Sequence, residues 1–144
     1  MESKVHEDKI RSLVQKFKYA RFRHNGRSIE EGLDCLGFMV LFYREFGIEL
    51  PTDDGAEVKA NWYRYDPDRY LRGLKSLDGI EVNFEDIQPL DLVYFAINRN
   101  IVTHSGIMLT SNEFAHMMLG RGFKISSIHG YWARKFRGAI RLIE

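Results

Sequence analysis

The chain has 144 residues, 44% of them apolar, so it can bury one core but is too short for two ordinary domains. A formal charge of +1 excludes a chain-wide electrostatic dependence on nucleic acid or an anionic membrane. The single cysteine excludes an internal disulfide, and with no repeat, low-complexity tract or linker in view we expect one domain spanning residues 1–144.

The first residues carry charges every few positions and lack the uninterrupted apolar stretch of a signal peptide or membrane span. We therefore expect a chain that is cytoplasmic as synthesised, with no membrane partner, that would meet a substrate outside the membrane only by a phage-related or other delivery route. Val5, Ile10, Leu13, Val14 and Phe17 recur at helical spacing, predicting an amphipathic helix over about residues 5–20 of an N-terminal helical region 1–20. A polar loop, RHNGRSIEEG, follows.

From Cys35 to Phe46 the chain is apolar almost all round, the signature of a buried central helix. Asp34 stands at the N-cap position, and Gly47 followed by Pro51 marks the exit, giving a nucleophile helix within 33–47. Residues 55–77 read as one or two short helices broken near Pro67. The second half changes character: 92–97, 101–109, 113–118 and 137–143 are rich in branched and aromatic residues with turn residues between them. Helices first and strands after predict an α+β fold, with an antiparallel sheet over 90–143.

A thiol attacks a carbonyl as thiolate, and Cys35 in the first turn of a helix has the setting that lowers a thiol pKa. His104 lies in a strand, sharing a face with Val102, Gly106 and Met108. If strands 101–109 and 113–118 pair about Thr110, His116 falls directly opposite His104, about 4.5 to 5.5 Å away at Cβ. His116 could then fix the tautomer of His104, completing a Cys-His-His site. A buried, inert cysteine and two half-buried strand histidines are the plain alternative. Cys35, His104 and His116 could also be three zinc ligands, although no CxxC or HExxH pairing accompanies them. Basic and aromatic residues interleave in KFKYARFRHNGR and YWARKFRGAIR, which would suit nucleic acid; a solvated face is the commoner cause, and no nucleic-acid partner is expected. His6, His24 and His129 sit in polar surroundings and read as surface residues.

GLDCLGFMVLFYREFGIELP resembles the nucleophile block of the NlpC-type papain-like cysteine peptidases, enzymes that cut peptides of the bacterial cell wall. PLDLVYFAINRNIVTHSGIML resembles that family's Gly-Asp-Leu-Val-Phe-Phe and His-Val-Gly-Ile strands, and FAHMM with KISSIHGYWARKFRGAIRLI its third catalytic position and closing strand. The likeness runs from Phe22 to the C-terminus. It implies a papain-like fold with Cys35 as nucleophile, His104 as base and His116 as the third polar residue. Asp34 matches an aspartate that faces the substrate amine where family members act near a free peptide N-terminus. Leu36 stands where the family usually has a substrate-contacting serine, and Phe22 where it has a tyrosine whose hydroxyl helps at the carbonyl oxygen. Asn25-Gly26 replaces a common Gly-Gly, and Pro89-Leu90-Asp91 the usual Pro-Gly-Asp. With Ser105 beside the base, Asp34, Leu36 and Phe22 make up the expected substrate-facing set. The implied reaction is hydrolysis of a peptidoglycan-derived peptide, typically between D-glutamate and a diamino acid, through a thioester and without a cofactor. Acyl transfer to an amine or hydroxyl, and a non-catalytic binding module, are alternatives on the same fold.

Overall fold

The computed structural model describes residues 2–51 and 62–143. Helix α1, Glu2–Phe17, ends three residues before the expected boundary and buries Ile10, Leu13 and Phe17. Two short strands, β1 (Arg27–Ser28) and β2 (Gly32–Leu33), form a small hairpin that leads into helix α2, Cys35–Arg44. Helix α2 is capped by Asp34 and closed by a Schellman turn. In that turn the Gly47 amide donates to Arg44, the Ile48 amide donates to Tyr43, and Gly47 takes φ +80. The expected break near Pro67 separates a 3-10 turn at Trp62–Arg64 from helix α3, Arg69–Lys75; the part of that segment over 55–61 lies outside the described residues.

The main sheet is antiparallel throughout, in the order β3-β8-β4-β5-β6-β7. Its strands are β3 (Ile80–Val82), β4 (Leu92–Phe95), β5 (His104–Met108), β6 (Glu113–Met118), β7 (Gly122–Ser127) and β8 (Phe136–Arg141), with helix α4 (Tyr131–Lys135) before β8. The α+β class and antiparallel sheet expected from the sequence are thus the ones adopted. Strands β3 and β7, helix α4 and the β1–β2 hairpin within the expected polar loop were not foreseen: β1 and β2 have two residues each, β3 has three, β7 is an edge of the sheet, and α4 is little more than one turn.

Strand alternation divides the core into two clusters. On the near face Leu92, Tyr94, Ile107, Ala115 and Met117 pack with Phe38, Met39 and Phe42 of α2, and Phe17 of α1 meets Phe38 edge-on at 5.2 Å. On the far face Val93, Phe95, Met108 and Phe114 pack with Ile128 and Trp132. Val102 belongs to the near cluster, so it does not share a face with Met108 as its spacing suggested, because β5 begins only at His104.

Two of the departures from the resembled pattern fall where backbone geometry favours glycine. Asn25 has φ 62 and Leu90 φ 75. Asparagine tolerates this region. Leu90 is held there by burial and by hydrogen bonds on both sides: its amide donates to Met108, and its carbonyl accepts from Tyr43 Oη at 2.7 Å.

Candidate active site

The site begins with one carboxylate. Asp34 Oδ1 accepts the Gly37 amide at 2.8 Å, capping α2 and leaving Cys35 as its first residue. Gly37 is required by close approach: a Cβ there would lie 2.1 Å from the Gly26 carbonyl oxygen. The turn of residues 23–27 therefore sits directly on the first turn of α2.

Cys35 Sγ lies 3.2 Å from His104 Nδ1, with the Met117 carbonyl a longer contact at 3.6 Å. His104 Nε2 lies 2.7 Å from His116 Nδ1, and His116 Nε2 lies 2.8 Å from Ser126 Oγ. With the thiol donating to Nδ1, each ring donates from Nε2 to the next acceptor, so one chain of donors runs from sulfur to Ser126. His104 turns opposite nitrogens to Cys35 and His116, a linear relay rather than ligands converging on one point. Among the described residues no group of three His, Cys, Asp or Glu side chains could hold a metal ion. Nor is any described helix long and apolar enough to cross a membrane.

The two histidines meet by a different register from the expected one. Ile107 pairs with Ala115 and Met108 with Phe114, so the hairpin pivots about Ser111, and continuing the ladder sets His116 opposite Gly106 rather than His104. The cause lies in the turn, where Thr110 Oγ1 accepts the amides of both Asn112 and Glu113. A slip of two residues keeps the histidines on one face, and as diagonal neighbours their rings still come within 4.9 Å. Trp132 stacks on His104 at 5.2 Å and 22°, while Phe114 lies 4.4 Å from His116, so the rings are clamped by the far-face aromatics.

Burial, not the helix N-terminus, sets the resting charge. It pushes the Cys35 thiol up to about 12, helped by the Asp34 charge and opposed by the Ser105 amide. Burial pulls His104 down to about 4, and burial together with His104 pulls His116 to about 3. This corrects the expectation of an acidified thiol: the resting pair is neutral thiol and neutral imidazole.

The sulfur edges a cleft of about 1510 Å³ whose walls include Phe22, Arg27, Asp34, Leu36, Tyr70 and His104. Of the expected substrate-facing set, Phe22, Asp34 and Leu36 line it, whereas Ser105 is fully buried and reaches it through the Tyr70 hydroxyl, 2.5 Å from Ser105 Oγ. Sequence reasoning missed Tyr70, Arg27, Trp132 and Ser126. Of these only Ser126 left a trace, by falling one turn past FAHMM on a strand that pairs with it.

A model of the NlpC/P60 family matches residues 19–141. Murein DD-endopeptidase MepS/murein LD-carboxypeptidase of Escherichia coli is 28% identical over 140 residues, covering 96% of this chain and 64% of that protein, so the chain spans about two-thirds of its length at most. An NlpC/P60 family protein from Bacillus cereus shares the fold with a TM-score of 0.68 at 23% identity, over 94% of this chain and 39% of its own. RipD of Mycobacterium tuberculosis, described as a non-catalytic NlpC/p60 domain protein adapted to peptidoglycan binding, gives 0.59 at 13% identity, over 96% and 98%.

Proposed function

The chain belongs to the NlpC/P60 family, and from that premise we propose that it is a cysteine hydrolase of cell-wall peptides with Cys35 as nucleophile, His104 as base and His116 orienting the base. The observation that carries this reading is the unbroken relay from sulfur through both imidazoles to Ser126, its thiol end at the wall of the cleft. As a peptide carbonyl arrives, His104 Nδ1 takes the thiol proton and the sulfur attacks the carbonyl carbon, giving a tetrahedral oxyanion. Asp34 already occupies the Gly37 amide, so the amides of Cys35 and Leu36 are the first-turn donors left for that oxyanion. The His104 imidazolium gives its proton to the departing amine, a thioester remains, and water deprotonated by neutral His104 releases the acid.

The neutral resting pair is compatible with this cycle. Burial disfavours either charge alone, but proton transfer creates both together across 3.2 Å, where their attraction offsets much of that cost. The enzymatic names of the E. coli relative support a murein peptide as substrate; the bond we propose, on the sequence resemblance alone, is one between D-glutamate and a diamino acid. Incubation with muropeptides and mass spectrometry of the products tests this: a new amine terminus should appear with the native chain and not with Cys35→Ala.

The buried thiol, together with Leu36 and Phe22, favours a second reading, a module that binds wall peptides without cutting them. Muropeptide binding without any Cys35-dependent product would select it.

A further inference from the structure

Asp34 is the only carboxylate among the described residues that line the cleft, and it precedes the thiol in the chain. A carboxylate on the cleft wall next to the thiol has the charge to receive a substrate ammonium. In this chain it is already occupied. Oδ1 accepts the Gly37 amide at 2.8 Å and Arg27 Nη1 at 2.8 Å, and Oδ2 accepts the Asn25 amide at 2.9 Å. Three of about four acceptor positions are therefore used, one of them by a guanidinium of opposite charge. The pair is sheltered, with side-chain exposures of 29% for Arg27 and 16% for Asp34. It is also built in: Arg27 Nη1 is held from behind by the Gly26 carbonyl at 2.8 Å, and a Cβ on Gly37 would lie 3.3 Å from that nitrogen. Gly37, two residues past the nucleophile, thus makes room for both the Gly26 carbonyl and the arginine.

We propose that Arg27 is a specificity-determining residue that withdraws Asp34 from ammonium recognition, so that the cleft takes acyl donors whose α-amine is itself acylated, internal segments of a peptide rather than amine-ended fragments. The inference rests on Cys35 acting as nucleophile. An ammonium entering beside Cys35 finds the carboxylate already paired with a guanidinium, and gains too little attraction to repay its lost hydration. An N-acylated donor has no such charge to desolvate, so discrimination comes from removing an attraction rather than adding a contact.

The test reads alkylation of Cys35, in which sulfur displaces chloride, and so needs no natural substrate. Rates are measured with alanyl-alanyl chloromethyl ketone and its N-acetyl form, on the full chain. The native protein should react with the acetylated reagent at least as fast as with the free amine. Arg27→Gln, which keeps a donor but loses the charge, should shift the ratio toward the free amine by about tenfold, and Arg27→Lys should hold the native ratio. A native preference for the free amine of about tenfold or more, or an unchanged ratio in Arg27→Gln, overturns the proposal while leaving the nucleophile in place. Failure of both reagents to label Cys35 overturns the nucleophile and the proposal together.

Discussion

The two faces of the sheet solve different problems with similar residues. The near face is a conventional core in which α1 and α2 bury Phe17, Phe38, Phe42 and Tyr43 against Leu92, Tyr94 and Ile107, with no histidine or carboxylate in the cluster. The far face has a smaller cluster, and set against it, in contact with Trp132 and Phe114, are two imidazoles. Packing on the near face stabilises the chain; packing on the far face also sets which protons are present. What the comparison teaches is that the same burial that strengthens a hydrophobic cluster holds the histidines neutral, as a base must be before it can accept a proton.

The comparison breaks if the near face does not dominate stability. Phe42 is 1% exposed and touches Phe17, Phe38 and Phe46, so Phe42→Ala should cost about 3–5 kcal/mol in urea unfolding. Between pH 7 and 4 acid should act mainly through the far face. The unfolded chain protonates its histidines near the ordinary value of 6.5, whereas His104 folds with a value near 4 and His116 near 3. Stability is therefore complete above pH 6.5 and is lost as pH falls through that window, by about 3 kcal/mol from His104 alone, in urea titrations run between pH 7 and 4. His104→Phe should remove the His104 share of that dependence and leave the part due to His116.

Finer variants sharpen the distinction. Trp132→Leu should lower stability by about 2 kcal/mol and also slow Cys35-dependent turnover, since His104 loses the ring stacked on it. Ser126→Ala removes the last acceptor of the relay and should cost about 1 kcal/mol in stability, with the acid limb of the turnover profile moved to lower pH because the His116 cation loses an acceptor. A near-face change of equal stability cost should leave that pH profile where it was.

The near face is what the sequence makes legible. Asp34 and Gly47 bracket α2 by chemistry that acts within a few residues, and LVYF and EFAHMM announce buried strands by composition. The hairpin pivot was misplaced by one residue because a single hydroxyl, Thr110 Oγ1, draws Glu113 back over the turn, and nothing in the alternation of either strand records that. The thiol was misjudged for a related reason. A helix N-terminus is visible in the residues, while desolvation depends on what covers the sulfur from β5 and β6. Arg27 and Trp132 were invisible because their partners lie on other elements, at Asp34 and His104.

The central claim is that His104 makes a buried, otherwise inert thiol nucleophilic, and iodoacetamide labelling of Cys35 in the native chain and in His104→Ala measures it directly. The account predicts labelling at pH 7 that falls off only as pH drops toward about 4, and that slows by about tenfold or more when the imidazole is removed. Equal rates in the two proteins, or labelling that rises only as the thiol itself ionises in strong alkali, would contradict it.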